Sequence, residues 1–549
     1  MAMCWIVILT IFNGIVLSTA EVFSALSHTE RVLGIELELI DALDAHIKQQ
    51  ETQLKVLKDF SREVRGAVKQ AEKEGTSFLS HPVNSYLMIK RFVNEWPTIK
   101  KTVNQESTEE AILLAKLDLW KRRFPDEYDL KGAITAIKRL QEVYSLEPAD
   151  FSEGRFGSHH WSEYMLGPRD TFTIGRYSYI EDDFEATRQW MLETLRLMDL
   201  GVRNETAYPD RAEVLDHLAF AEYKTEDVES AMIHTLELIK INPTNERARN
   251  NVIHYGEVYE GNKEHFEEIK RLRKRKRPNG KHGWMGRRLQ QKSLQDVNWH
   301  IERDVYKRLC RGEMLPKSPQ DHKRLNCWYF TADPLCTIKR CAMERVFTDP
   351  DIILFKDIMS DSEINEVRKI SEPLLNRATV HNPLTGQLET AQYRISKNCW
   401  LTKKDGNVIQ KIENRIAAMT RLDLQTAEGF QVQNYGLAGH YDPHFDFSRN
   451  LSNSSLGALG TGNRLATVLL YMTQVEAGGA TVFPYIGARV LPQKGDAVFW
   501  HNLLRSGDGD FRTRHAGCPV LSGIKWVANK WIHEYGNEFT RPCSLRPDE

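Results

Sequence analysis

Residues 430–447 read FQVQNYGLAGHYDPHFDF, a β-rich run followed by the densest set of ligand-type side chains in the chain, His440-Tyr-Asp-Pro-His444-Phe-Asp446-Phe447. His440 and His444 are four apart and on a helix would share a face, but Pro443 excludes a helix there. In an extended segment residues i and i+2 point the same way, so His444 and Asp446 present an imidazole and a carboxylate to one side. A third imidazole from a distant strand would complete a two-histidine, one-carboxylate face, which holds iron(II) and leaves positions open for a cosubstrate and oxygen. His-x-Asp alone is a weak motif in a chain with 18 histidines.

From about residue 345 onward the texture is short β-branched and aromatic runs punctuated by Gly, Pro and Asn: Phe430–Tyr435, Ala466–Met472, Ala497–Trp500, Lys525–Val527. Eight or so strands with no room for crossover helices predict an all-β unit, a double-sheet barrel or jelly roll. Downstream, His501, His515 and His533 compete for the third ligand position. His515 has the best context. Ten residues beyond it, Gly523-Ile-Lys525-Trp526 sets a cation inside an apolar strand, where an unpaired ammonium is costly to desolvate. Two partners suit it: an internal Asp or Glu, or the far carboxylate of a dicarboxylate cosubstrate that chelates the metal.

The N-terminal half is helical. From about 28 to 160, apolar positions begin with Leu33, Leu37, Ile40, Leu43, Ile47, Leu54 and Leu57 at three- and four-residue steps. Such a face is buried against later helices of the same chain or against a second copy, and periodicity does not choose. Leu215, Leu218, Ala219, Ala231 and Pro243 fall at the spacings of a tetratricopeptide repeat, after a weaker pair around Ile174 to Met198. An ordinary helical hairpin has the same pattern. His217, Phe220, Tyr223, Asn251 and His254 are candidates to line a concave face that takes an extended peptide; Phe220 and Tyr223 suit a core equally. Residues 271–288, RLRKRKRPNGKHGWMGRR, are too basic and too rich in Gly and Pro for a core and mark a boundary.

The 549 residues carry 74 Lys+Arg against 75 Asp+Glu, a net charge of −1, which excludes the global positive field of a nucleic-acid binder. With 41% hydrophobic residues the length predicts roughly three or four domains with real cores. Met1 to Ala20 is a short apolar run ending in small residues and predicts a signal peptide cleaved near Ala20. No later window is long and apolar enough to span a membrane. Seven cysteines then remain, none in a CxxC pair, which in an oxidising lumen favours disulfides over zinc, with at least one thiol left over. Sequons at Asn204, Asn450 and Asn453 fit glycosylation there.

Taken together, His444-x-Asp446, Arg514-His515-Ala-Gly-Cys-Pro-Val-Leu521, Gly523-Ile-Lys525-Trp526 and Trp531-Ile-His533-Glu534 resemble the catalytic domain of the collagen prolyl 4-hydroxylase α-subunit family. The resemblance covers nearly the whole mature chain in the family's order. It implies a multidomain α + β architecture: a signal peptide (1–20), a helical N-terminal dimerisation region (21–160), a tetratricopeptide-like peptide-substrate-binding domain (161–262), a basic linker with a disulfide-containing segment (263–344), and a C-terminal double-stranded β-helix, or jelly-roll, dioxygenase domain (345–540). By resemblance, His444, Asp446 and His515 bind Fe(2+), Lys525 binds the C5 carboxylate of 2-oxoglutarate, Tyr435 reaches the same carboxylate, and His533 assists the cosubstrate. Eight residues of straight strand span ~26 Å, so His533 approaches Lys525 only if the chain bends.

The family's disulfides, Cys310 to Cys327 and Cys518 to Cys543, carry over by spacing, leaving Cys336, Cys341 and Cys399 open. The implied activity is procollagen-proline 4-dioxygenase, hydroxylating C4 of proline in X-Pro-Gly with 2-oxoglutarate and O2, releasing succinate and CO2, with L-ascorbate rescuing the iron. The implied partner is protein disulfide isomerase in an α2β2 tetramer, in the endoplasmic reticulum lumen. His217, Phe220, His254 and Glu257 stand where the family usually shows tyrosines. A prolyl 4-hydroxylase of non-collagen secreted proteins, or a non-catalytic peptide-binding scaffold, are the rival readings.

Overall fold

A computed structural model of the protein describes residues 51–103, 127–156, 160–161, 165–201, 208–275, 299–313, 325–381, 388–390, 393–449, 451 and 457–546. The signal peptide, Leu33 to Ile47 of the apolar stripe, the sequons at Asn204, Asn450 and Asn453, and residues 276–288 of the basic run lie outside the described residues. The chain divides into two units, 1–73 with 95–122, and 74–94 with 123–549. In the first, residues 51–73 are helical and Phe60 packs edge-on against Trp96 with ring centroids 5.0 Å apart.

In the second unit, after short helices within 76–90, comes helix α1 (Glu127–Tyr144), whose Leu130, Ala133, Ile134, Ile137 and Leu140 recur at three- and four-residue steps and are all buried. The helices that follow pair antiparallel: α2 (Pro168–Ile180) with α3 (Phe184–Asp199), α4 (Arg211–Lys224) with α5 (Val228–Ile241), then α6 (Glu246–Gly261) and α7 (Lys263–Arg275). Their starts are written in the sequence. The carboxylates of Asp183, Asp210 and Asp227 and the amide of Asn245 each accept a backbone N–H of the first turn. Gly175 permits the close crossing of α2 and α3, since a Cβ there would lie 3.0 Å from Met191 Cε. Leu215, Leu218, Ala219 and Ala231 are buried, as the repeat spacing predicts.

After α8 (Trp299–Cys310) come the strands: β1 (Cys327–Phe330), β2 (Cys341–Thr348), β3 (Asp351–Phe355), β4 (Asn376–Arg377), β5 (Lys397–Leu401), β6 (Phe430–Tyr435), β7 (Tyr441–His444), β8 (Arg464–Tyr471), β9 (Thr481–Phe483), β10 (Ala488–Val490), β11 (Ala497–His501), β12 (His515–Gly517) and β13 (Lys525–His533). Nine form one sheet in the order β1-β2-β3-β11-β8-β13-β6-β5-β4, and four form another, β7-β12-β9-β10. This is the double-sheet roll expected. Strand β8 is buried from Leu465 to Tyr471 and apolar there except for Thr467, because both faces are covered. Leu469 and Tyr471 face inward with Phe483 and Val490, whereas Ala466, Val468 and Leu470 face helices α9 (Asp361–Ser371) and α10 (Asn407–Thr420).

Those two helices correct the all-β reading. Their signals were available: the Ser360–Glu363 capping box, and Val408, Ile409, Ile412 and Ile416 along one stripe. The disulfides are a second correction. Cys310 pairs with Cys518, with Cα atoms 5.6 Å apart, and Cys336 pairs with Cys341. Cys327 and Cys543 are exposed and free, and Cys399 is buried and free. The reason is packing: Val305, Leu309 and Cys310 of α8 share a core with Val482, Ala516 and Cys518, which seats Cys310 over β12. Among the described residues no helix is long and apolar enough to cross a membrane.

Candidate metal centre and cosubstrate cradle

The small sheet places its ligands by register. His444 on β7 and His515 on β12 stand directly opposite each other, and Asp446 follows two residues after His444. One ligand atom from each of the three lies within 4.8 Å of the others. The Nδ1 of His444 donates to the carbonyl of Asp442 at 2.8 Å and that of His515 to the carbonyl of Thr513 at 3.0 Å. A carbonyl requires the proton on Nδ1, so both Nε2 lone pairs are free. Each Nε2 sits 3.6 Å from an Asp446 oxygen, too far for a hydrogen bond, with the three atoms facing a common point.

The shell behind the triad fixes it. Asp446 Oδ2 accepts from Thr467 Oγ1 (2.7 Å), which accepts from the Asn502 amide (2.8 Å), whose carbonyl accepts from Trp500 Nε1 (2.8 Å). Tyr441 stacks on His444 with centroids 3.6 Å apart. Burial opposes ionisation of Asp446, but the His515 and His444 rings and the Arg464 guanidinium outweigh it and hold the carboxyl well below its ordinary range. Burial pushes His515 down to about 4, so near neutral pH the ring is an uncharged ligand. A carboxylate and two imidazoles whose Nδ1 atoms are held by carbonyls and whose Nε2 atoms face it are the donor set that suits iron(II), and these residues fit it.

The cosubstrate side lies on the large sheet. Tyr435 and Lys525 are register partners at the ends of β6 and β13. Lys525 is 2% exposed, its Nζ lies 4.8 Å over the Tyr435 ring, and among the described residues no carboxylate pairs with it. Burial alone pushes its ammonium down to about 7. Tyr435 is pushed up to about 12 by burial and stays a hydroxyl donor. A Cβ at Gly517, two residues past His515, would lie 3.7 Å from both Lys525 Nζ and Tyr435 Oη. A buried ammonium with no internal anion, a phenol and a side-chain-free wall form a cradle that fits a carboxylate. The internal Asp or Glu considered for Lys525 is absent among the described residues.

His533 is not part of that cradle. β13 runs without interruption from Lys525 to His533, which pairs with Arg464 at the other end of the strand. Its Nε2 lies 3.0 Å from Glu428 Oε1, and Glu428 grips Arg464, whose Nη1 donates to the Asp446 carbonyl at 3.3 Å. His533 therefore braces the triad through Glu428 and Arg464, a network the sequence reading missed because three separate elements contribute to it. His501, the other competitor, ends β11 beside Phe499 and away from the triad's ligand cluster.

The candidate peptide residues fall on one aromatic row. His217 packs edge-on against Tyr179, Phe220 lies between Tyr179 and Phe184, and Tyr223 stacks on Tyr255 with its hydroxyl 3.1 Å from His254 Nε2. All three, and Asn251, are half-buried. One open cleft of about 1820 Å3 exposes His444 and Asp446.

A double-sheet roll with this triad and cradle defines the class of Fe(II)- and 2-oxoglutarate-dependent oxygenases, and residues 430–533 match the 2OG-Fe(II) oxygenase superfamily. Residues 25–158 match the prolyl 4-hydroxylase alpha-subunit N-terminal region, and 168–261 the prolyl 4-hydroxylase peptide-substrate-binding domain. The chain is 39% identical over 535 residues to prolyl 4-hydroxylase subunit alpha-2 of Caenorhabditis elegans, covering 97% of this chain and 95% of that one. It is 39% identical over 527 residues to prolyl 4-hydroxylase subunit alpha-1 of Homo sapiens, covering 95% of each. The chain belongs to the prolyl 4-hydroxylase α-subunit family. Among solved structures, a viral collagen prolyl hydroxylase from Paramecium Bursaria Chlorella virus-1, in its 2OG complex, is similar at 25% identity and a TM-score of 0.27 over 33% of this chain and 94% of that one.

Proposed function

We propose that this chain is the catalytic α subunit of a procollagen-proline 4-dioxygenase that hydroxylates C4 of proline in X-Pro-Gly sequences. The observation that carries the reading is the pairing of a fitted iron face with an unpaired buried cation on the same roll: His444, Asp446 and His515 beside Lys525, Tyr435 and Gly517. Iron(II), when held with 2-oxoglutarate and O2, supplies an oxidation in which one oxygen atom enters the prolyl C4–H bond and the other enters succinate, with loss of CO2.

The chain's own residues do the positioning. Asp446 and the two Nε2 atoms would hold the metal from one side, with His444 and Asp446 facing the cleft. Lys525 and Tyr435 anchor the distal carboxylate of the cosubstrate, and the burial of both keeps water from competing for it. The half-buried rings of Tyr179, Phe220 and Tyr223, the last backed by the buried Tyr255, supply faces of the kind pyrrolidine stacks on, which supports a proline-rich substrate. His217, Phe220 and His254 in that row favour a peptide preference of this chain's own, and non-collagen secreted proteins are the alternative substrate. We place the subunit in the endoplasmic reticulum lumen, after removal of residues 1–20, glycosylated at Asn204, Asn450 and Asn453, paired with protein disulfide isomerase in an α2β2 tetramer, and dependent on ascorbate to restore oxidised iron.

The test is 2-oxoglutarate decarboxylation coupled to 4-hydroxyproline formation, using protein co-expressed with protein disulfide isomerase, wild type against His515→Ala. Turnover of a (Pro-Pro-Gly)n peptide that the variant loses is expected. Peptide binding without succinate from any proline-rich substrate would leave a scaffold subunit instead.

A further inference from the structure

Helix α3 serves two sites at once. Its Phe184 belongs to the aromatic row, against Tyr179 and Phe220. The next residue, Glu185, and then Ala186 and Gln189, line the cleft that holds His444 and Asp446. On a helix, adjacent residues point about 100° apart, so the first turn of α3 is the ridge over which row and cleft meet. The ridge is held by side-chain bonds, with Trp190 Nε1 donating to Gln141 Oε1 of α1 at 3.0 Å and the Gln141 amide donating to Gln189.

The cleft also says what suits it. At about 1820 Å3 it exceeds the 300–1,000 Å3 of ordinary small-molecule pockets. Eight basic and eight acidic side chains line it and cancel in formal charge. Several are spent on each other: Arg303 with Glu142 (2.8 Å), Lys138 with Asp183 (2.8 Å), Arg464 with Glu428 (2.5 Å), and Arg514 with Glu302. Walls of this kind offer no net field to a charged ligand, while Trp400 and Tyr393 present rings that are 46% and 42% exposed. An uncharged, extended, proline-rich chain is the occupant these features fit.

Resting on the function proposed above, we propose that row and cleft form one continuous track, so that a single substrate polypeptide lies on the aromatic row, crosses the first turn of α3 and enters the metal centre. The row is then part of the acceptor site and not a separate dock. A long substrate gains affinity because its second contact is intramolecular.

The test obstructs the ridge. Glu185→Trp places bulk on an exposed position of α3, Thr135→Trp does so from α1, and Lys240→Trp at the far end of α5 is the control. Peptides of two Pro-Pro-Gly triplets reach ~19 Å and of ten triplets ~93 Å. Labelled peptides are bound to the full subunit with its partner, loaded with Mn(II) and 2-oxoglutarate, and binding is read by anisotropy, so the outcome does not depend on turnover. Both obstructions are expected to weaken the long peptide about tenfold, toward the affinity of the short one, and to leave the short peptide and the control unchanged. Unchanged long-peptide affinity in both variants, or equal losses for both peptides, would overturn the track. Absence of turnover by the wild type would instead remove the catalytic reading and leave the binding comparison intact.

Discussion

Replacing Gly517 by alanine probes the cosubstrate cradle with one methyl group. The backbone there lies outside the left-handed region, and the nearest atoms to the added Cβ are Lys525 Nζ, Tyr435 Oη and Tyr441 N, all at 3.7 Å, so the protein alone accommodates it. A bound carboxylate does not. Its oxygen must approach an ammonium to about 2.8 Å, and a methyl in van der Waals contact with both donors occupies that approach. Losing one charge-assisted hydrogen bond costs about 1.5–3 kcal/mol, a drop of roughly 10–150-fold in 2-oxoglutarate affinity. Calorimetry with Mn(II)-loaded protein measures this, with Mn(II) affinity and Tm as controls expected to stay unchanged. Wild-type affinity for 2-oxoglutarate in Gly517→Ala would refute the placement of the cradle.

Other measurements follow from the same geometry. Lys525 must be protonated to hold a carboxylate, and its folded-state value of about 7 lies below the ordinary 10.5; the free protein therefore loses the proton as pH rises past 7, and 2-oxoglutarate affinity falls above that point, up to about tenfold per pH unit. Lys525→Met is expected to show weak, pH-independent affinity; a flat wild-type profile from pH 6.5 to 9 would contradict this. For the same group the sign on stability is opposite: without cosubstrate, stability rises with pH from about 7 to 10.5, because the unfolded chain holds the proton that burial disfavours. His533→Gln is expected to leave 2-oxoglutarate affinity within about threefold and lower stability by about 1–3 kcal/mol in denaturant titration, since its partners are Glu428 and Thr461; a selective cosubstrate defect would place it in the cradle after all. Peptide mapping without reductant is expected to recover Cys310 linked to Cys518, and Cys310→Ala to cost about 2–4 kcal/mol; a Cys310–Cys327 peptide would refute the pairing.

The iron face was legible because three short-range facts converge on it: Pro443 forbids a helix, alternation puts His444 and Asp446 on one side, and His515 precedes a lone cation in an apolar strand. Lys525 shares its parity along β13 with Val527, which faces the interior of the roll, and that alternation is readable from one strand alone. The disulfides were not legible, because Cys310 and Cys518 are 208 residues apart and meet only once α8 has docked. His533 was misplaced for a related reason. Its spacing from Lys525 is fixed by sequence, but its partners Glu428 and Thr461 come from other segments. Helices α9 and α10 were hidden by the β texture around them, although their caps and stripes obey local rules. The ridge on α3 was out of reach of pattern reading, since nothing local marks which side of a helix a distant cleft uses.

Helix α1 also sets a timetable for synthesis. The Tyr144 hydroxyl at its end donates to the carbonyl of Pro519, and Val143 beside it packs with Ala480, Val482 and Ala516. The Tyr144–Pro519 contact spans 375 residues, which a ribosome takes roughly 20–75 s to translate. Throughout that interval the end of α1 waits with its partners not yet made, and the metal-bearing strand β12 is among the last to arrive. Nascent chains of this subunit thus pass through a long window of exposed apolar surface that only completion of the C-terminal strands closes.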